Sequence, residues 1–431
     1  MLHSCYGINE KGNFTIGGAD TVELAKQYKT PLYVLDENTV RSNCRVYVEA
    51  MNKYFKKGST IHYASKALSF KEIYRIMASE GVNVDLCSVG EIHTARSAGF
   101  DLSKACFHGN NKTDDSIRFA IKAGVGEFVV DSFEELEALD RIAGQEQVVQ
   151  KAFVRITPNI DCHTLKAIST GQLDSKFGTP IETGQAEKLV KKALEKKNVK
   201  LIGYHCHCGS QVFEAMPYAD QTEIMFAFAA DIMQKTGYAP EYMNLGGGFG
   251  VRYTENDPVI DIAANIKMIA EKEKQICEKY GMPEPMILME PGRSIVANAG
   301  ITLYTVGSVK HIEGYRTYVS IDGGMTDNPR YALYGSRYEV LLANKATLPK
   351  DTAVTVAGCC CESGDLIGEN MPLQQAQRGD TLAVCVTGAY NYSMASNYNR
   401  VARPALVIVK DGESRIGINR ESLEDLCRND A

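Results

Sequence analysis

The stretch TIHYASKALSFKEIYRIMASEGVNVDLC, residues 60–87, decides the fold. It opens with β-branched and aromatic residues (Thr60, Ile61, Tyr63), as strands favour. FKEIYRIMASEG follows, with apolar residues three and four apart, and VNVDLC resumes a strand pattern. Lys66 stands where the first buried strand should end, and an ammonium there is costly to bury unless paired or neutralised. Two readings are open at this point. The side chain snorkels to solvent, or it is a desolvated amine that binds a carbonyl compound as a Schiff base.

Outward from this unit the same rhythm repeats. Strand-like segments recur at TIHYAS (60–65), VNVDLC (82–87), KACFHG (104–109), EFVVDS (127–132), KAFVRI (151–156), KLIGYHCH (200–207), YMNLGG (242–247) and MILMEP (286–291). Helical patterns fill the gaps. Eight strand–helix units over about 240 residues predict an α/β chain with a (β/α)8 TIM-type barrel. After residue 300 strands follow one another without long helices, as in TLYTVGSV, TYVSIDGG and PALVIVK, which predicts a mostly antiparallel β domain. GNFTIGG and PLYVLD near the start read as strands too. The expected division is a barrel over 36–300, with a β domain built by both chain ends, 1–35 and 301–431.

The chain has 431 residues, 44% hydrophobic and 23% charged, with 37 Gly and 13 Pro, a globular composition with room for two domains. The net charge of −6 argues against a nucleic-acid partner, and the basic stretch 191–200 reads as the solvated face of a helix. The longest apolar run, 224–230, is too short to span a bilayer, so no membrane association is expected. MLHSCYGINEKG lacks the order of a signal peptide, and the 13 cysteines read as reduced thiols, which together predict a cytoplasmic protein. No CxxC pair is followed by another, so no zinc framework is expected.

Barrels carry their chemistry at the C-terminal ends of strands. Lys66 falls at the first such end, Asp85 at the second, His108 with Gly109 and Asn110 at the third, and Arg155 at the fifth. HCHCGSQ (205–211), GGGFG (246–250) and EPGR (290–293) fall at the sixth to eighth. Random surface polars would not collect on one rim, and this convergence favours the Schiff-base reading of Lys66. GGGFG alone could be a flexible turn, but after the seventh strand its unobstructed N–H groups suit a phosphate. Glu290 and Arg293 alone could form a rim ion pair; beside that cradle they suit a phosphorylated, basic heterocycle. HCHC invites a metal, yet strand alternation parts His205 and His207 from Cys206 and Cys208, so no metal is expected. His207 suits an imidazole lying over an aromatic ring, Ser210 a hydroxyl donor to phosphate, and His205 a core histidine. CCCESGD (359–365) reads as small buried strand residues next to Glu362. GAYNYSMASNYN (388–399) reads as a functional loop.

Taken together, YASKA, HGNNK, ISTGQLDSKFG, HCHCGSQ, NLGGGFG, EPGR, DGGMTDNPRYALYG, CESGD and GAYNYSMASNYN resemble the diaminopimelate decarboxylase family nearly end to end. That family belongs to the fold-type-III, alanine-racemase-like enzymes. The resemblance implies pyridoxal 5'-phosphate as cofactor, held by Lys66 as the internal aldimine. His207 would stack on the ring, Glu290 would pair with the pyridine nitrogen, and Ser210, Gly246, Gly247, Gly248 and Arg293 would surround the phosphate. Gly292 and Tyr390 complete the implied cofactor contacts. Implied substrate contacts are Arg293, Arg330, Tyr334, Glu362 and Tyr390, with Cys361 as proton donor and, beside Lys66, the second catalytic residue. The implied reaction converts meso-diaminopimelate to L-lysine and CO2, in a homodimer whose shared sites take Cys361 and Glu362 from the partner. The substrate's distal ammonium and carboxylate call for an acid and a forked guanidinium, Glu362 and Arg330. Arginine, ornithine or carboxynorspermidine lack that distal amino-acid group, so decarboxylases of those substrates fit less well. A racemase would be shorter and lack the CESGD and GAY loops. A non-catalytic homologue would typically lose the lysine or the Cys361–Glu362 pair.

Overall fold

Eight parallel strands close on themselves in the computed structural model, which describes residues 1–160 and 174–431. They are β1 (Thr60–Ala64), β2 (Asn83–Leu86), β3 (Ala105–Phe107), β4 (Glu127–Val130), β5 (Gln150–Thr157), β6 (Val199–His205), β7 (Tyr242–Asn244) and β8 (Met286–Met289). Each pairs with the next, and β8 returns to β1 through Leu288 with Thr60 and Met289 with Ile61. All eight expected segments are barrel strands, and the fold is the (β/α)8 barrel with a separate sheet.

Local chemistry explains the helices between the strands. Lys71–Ser79 buries Ile73, Tyr74, Ile76 and Met77 on one face, as the spacing in 60–87 predicts. Ser88, Thr113, Ser132 and Asp261 cap later helices by accepting backbone N–H groups near the start of each. Cys106, Val129, Phe153, Ile202 and Leu288, from five of the eight strands, form one fully buried cluster. This barrel unit comprises Cys44–Gly250 and Val259–Ser294.

The second unit comprises Met1–Asn43, Val251–Pro258 and Ile295–Ala431. Its main sheet runs in the order Leu366–Leu373, Thr352–Ala357, Arg316–Ile321, Gly300–Ile312, Leu32–Asp36, Ala405–Lys410, Glu413–Ile418. Most pairings are antiparallel. Arg316–Ile321 with Thr352–Ala357, and Leu32–Asp36 with Ala405–Lys410, are parallel.

Within the barrel, Glu127 Oε2 is buried without a hydrogen-bond partner among the described residues. Burial pushes its carboxyl from the usual 4.5 up to about 7. Between those values the folded protein keeps a proton that the unfolded chain has released, so this group's contribution to stability falls as pH rises through the window. Glu127→Gln should therefore gain stability over the parent as pH rises. The check is the difference in urea midpoints at about pH 5 and about pH 8. An unchanged difference would mean that the ionised carboxylate is compensated in the fold.

Candidate active site

Glu290 follows β8 directly and is 8% exposed, so its charge needs partners. His205, at the end of β6, places Nε2 3.0 Å from Oε2. Asn244, at the end of β7, donates from Nδ2 to Oε1 at 2.6 Å. His108, just past β3, brings Nε2 to 2.9 Å from Oε1, and Asp85 of β2 lies 3.8 Å from the same nitrogen. Burial pushes the Glu290 carboxyl up, but attraction to His108 and His205 outweighs it and holds the group well below the usual carboxylate range. Burial also pulls the His205 imidazole down to about 4, so it is neutral. At His108 burial acts downward too, but Asp85 and Glu290 together raise it, favouring the cation. His205, expected as a core histidine, is buried but serves as the partner of Glu290. This role has no signal in the local sequence, because its partner lies 85 residues away.

The glycine loop is pressed against these strand ends. A Cβ at Gly247 would collide with the Glu290 carbonyl, and one at Gly246 would come within 2.6 Å of the Cys206 carbonyl oxygen. Gly246 and Gly248 have φ of +67° and +107°, which side chains disfavour. Glu290 N–H donates to the Gly246 carbonyl at 2.7 Å, and Gly247 N–H to His207 Nδ1 at 3.3 Å. Burial, with the cations Lys66 and Arg155 adding to it, holds His207 well below its usual range, hence neutral. Ser210 Oγ accepts from Arg293 at 3.2 Å (Nε) and 2.9 Å (Nη2), so a hydroxyl and a guanidinium stand side by side. Gly292 packs on β1, where a Cβ would lie 2.9 Å from the Ala64 Cβ, and the Pro291 carbonyl accepts the Ala64 N–H at 3.1 Å. Lys66 sits one step beyond, on the single turn Ser65–Ala67, and is exposed.

Thus Lys66, His207, Ser210, Gly246, Gly247, Gly248, Glu290, Gly292 and Arg293 gather at one end of the barrel. Lys112, of the HGNNK motif, is a further contributor that residue-by-residue reading missed. Its Nζ donates to the Gly109 and Val129 carbonyls at 2.8 Å each and to Glu135 at 2.7 Å, fixing the loop that carries His108. Residues 168–173 of ISTGQLDSKFG lie outside the described residues; in the remainder, the Arg155 guanidinium lies 4.4 Å from the Phe177 ring centroid.

The other expected residues belong to the second unit. Arg330 opens the helix Arg330–Tyr334 and is 7% exposed. Its guanidinium lies 5.2 Å from the Tyr334 ring centroid and 5.4 Å from that of Tyr390, a cation held between two aromatic faces. The cysteine run is not a buried strand: the strand ends at Ala357, and Cys359, Cys361 and Glu362 are exposed on the loop beyond it. Three loops are tied together here. Cys359 N–H donates to the Gly323 carbonyl at 3.0 Å, Ser396 N–H to that of Thr326 at 2.8 Å, and Cys361 N–H to Asn399 Oδ1 at 3.2 Å. The buried Asp365 carboxylate joins two of them, accepting the Met325 N–H at 2.6 Å and the Cys360 N–H at 2.8 Å.

The barrel-end residues fit pyridoxal phosphate. Backbone N–H groups without Cβ atoms, the Ser210–Arg293 pair and an amine past β1 stand with a carboxylate held ionised. Fold and site define a pyridoxal-dependent decarboxylase of the barrel type. A family model described as "Pyridoxal-dependent decarboxylase, pyridoxal binding domain" matches residues 38–297. The chain is 44% identical over 422 residues to the diaminopimelate decarboxylase of Bacillus methanolicus, spanning 98% of each. To that of Bacillus subtilis it is 41% identical over 430 residues, spanning 100% of this chain and 98% of the relative. The crystal structure of M. jannaschii diaminopimelate decarboxylase in complex with L-lysine matches with a TM-score of 0.91 at 34% identity, covering 100% of this chain and 99% of that one. The chain belongs to the diaminopimelate decarboxylase family, and its cofactor is pyridoxal phosphate. Among the described residues no helix is long and apolar enough to cross a membrane, and every cysteine is free.

Gly247→Ala tests the glycine contact. Overpacking costs about 1–3 kcal/mol, so affinity for pyridoxal phosphate should fall about 10- to 100-fold in a fluorescence titration. Unchanged affinity would show that the loop absorbs the extra carbon without moving Glu290.

Proposed function

We propose that this chain removes the carboxylate from the D centre of meso-diaminopimelate, giving CO2 and L-lysine. The observation that carries this choice of substrate is Arg330, a buried guanidinium between Tyr334 and Tyr390, in the unit whose loops also carry Glu362. Such a fork suits a distal carboxylate, and Glu362 suits the ammonium on the same carbon. When bound, pyridoxal phosphate supplies a ring that accepts the electron pair left by departing CO2. Lys66 Nζ would hold the cofactor through its carbonyl carbon, the carbonyl oxygen leaving as water. Ser210, Arg293 and the N–H groups of Gly246 to Gly248 hold its phosphate, with Gly292 giving the turn its close approach to β1. His207 would lie against the ring as a neutral imidazole, and Glu290 would keep a proton on the ring nitrogen. Tyr390 contacts both cofactor and substrate, Tyr334 lines the substrate's path, and Arg293 also meets the substrate. Cys361 Sγ–H would give its proton to the carbon that has lost CO2, and the thiol would regain a proton from water before the next turnover.

We infer further a cytoplasmic homodimer in which Cys361 and Glu362 serve the partner's barrel. Both side chains, like Lys66, are exposed on the protomer, which supports this reading. Free thiols at the described cysteines agree with a reducing compartment.

Two experiments test these proposals. Purified protein given meso-diaminopimelate, arginine or ornithine should release CO2 only from the first. Lys66→Ala should fold yet lose turnover, and borohydride should label Lys66 alone in the parent; labelling of another lysine would overturn the assignment. For the shared site, inactive Lys66→Ala and Cys361→Ala chains are mixed and allowed to exchange. About half the dimers are then mixed, each with one intact site, so activity should return to roughly a quarter of the parent's. No recovery after proven exchange would place both residues in the site of a single chain.

A further inference from the structure

We propose that His205 and Asn244 are positioning residues. Together they hold the Glu290 carboxylate by its two oxygens and leave Oε2 one open acceptor position for the cofactor's ring N–H. This inference rests on the reading of Glu290 as the ring-nitrogen partner and names what makes that partner competent.

An ionised carboxylate offers about four lone-pair positions, two on each oxygen. Oε1 accepts from Asn244 Nδ2 at 2.6 Å and lies 2.9 Å from His108 Nε2, an ion-pair contact that is not a hydrogen bond. Oε2 meets His205 Nε2 at 3.0 Å, which leaves it a single position. The orientation of Asn244 follows from its other hydrogen bond: Oδ1 accepts the Gly246 N–H at 3.0 Å, so Nδ2 must face Glu290. Asn244 thereby couples the glycine loop, which would hold one end of the cofactor, to the carboxylate that would hold the other. His205 Nδ1 finds no hydrogen-bond partner, so a neutral ring with its proton on Nε2 satisfies the pair. His205 and Asn244 are therefore set to donate to Glu290, and His108 adds its charge beside them. Hydrogen bonds to a carboxylate are stronger than those to a carboxylic acid, so these donors favour the ionised form of Glu290. Held as an acceptor, Glu290 favours a ring nitrogen that carries its proton.

The test compares affinity for pyridoxal phosphate with affinity for its 1-deaza analogue, in which carbon replaces the ring nitrogen, by equilibrium titration of the folded protein. The parent should prefer the natural cofactor, and Glu290→Gln should erase that preference. His205→Leu and the isosteric Asn244→Asp should each reduce it about ten-fold, with little change in affinity for the analogue. His205→Gln, which keeps a donor, should restore most of it. Adding either change to Glu290→Gln should cause no further loss of preference, because both act through that carboxylate. A preference that survives Glu290→Gln overturns the reading of Glu290 itself. A preference lost in Glu290→Gln but intact in Asn244→Asp and His205→Leu overturns the present inference alone. Equal weakening of both ligands would reveal a structural role and overturn it as well.

Discussion

A buried carboxylate sets the terms for the whole barrel end. Glu290 loses most of its hydration, and a charge in that position persists only if the fold brings donors to it. Two donors, from the ends of β6 and β7, and the charge of His108 just past β3 are brought together there by register and barrel curvature. Closure itself depends on close backbone approach. The glycine loop touches the Glu290 carbonyl where no side chain fits, and the Gly292 turn meets β1 just before Lys66. An error in the register of β8 would displace the charge, its donors and the turn that carries the lysine together.

Much of this was legible in the sequence, for an identifiable reason. Alternation of short β-rich segments with helical spacing is a local property, so the eight strands and the rim residues after them could be read directly. Contacts between strand ends are not local. His205 and Glu290 lie 85 positions apart, and nothing near either residue announces the other. The strand rule does not reach across HCHC, because the strand ends at His205, and it could not distinguish an inert buried imidazole from one that donates to a carboxylate. The cysteine run misled for a different reason. Cysteine is usually buried, but here the strand has ended and Cys359 and Cys361 ride on a turn whose position is set by Asp365.

Lys112 shows how a motif can be functional without touching chemistry. An ammonium with two carbonyls and Glu135 around it costs little to bury, because each of its three N–H groups has an acceptor. Its effect passes through the loop it ties down, which ends at His108. The HGNNK signature thus reads as a fastening as much as a contact surface.

If Arg330, Glu362 and Tyr390 meet the substrate as proposed, the Asp365 carboxylate bears on any attempt to change what the enzyme accepts. Gly324 and Gly358 lie so close to it that a Cβ at either would strike its oxygens, and its hydrogen bonds join the segment before Arg330 to the one bearing Cys361 and Glu362. The third loop, with Tyr390, is fastened to both. These three segments form a cassette, two of them anchored on Asp365 and the third bonded to both. Grafting one of them from a decarboxylase of different specificity would import a partner set that the other two cannot satisfy. Retargeting should succeed when all three are exchanged together with Asp365, and single-loop chimaeras should misplace side chains whose own sequence was never altered.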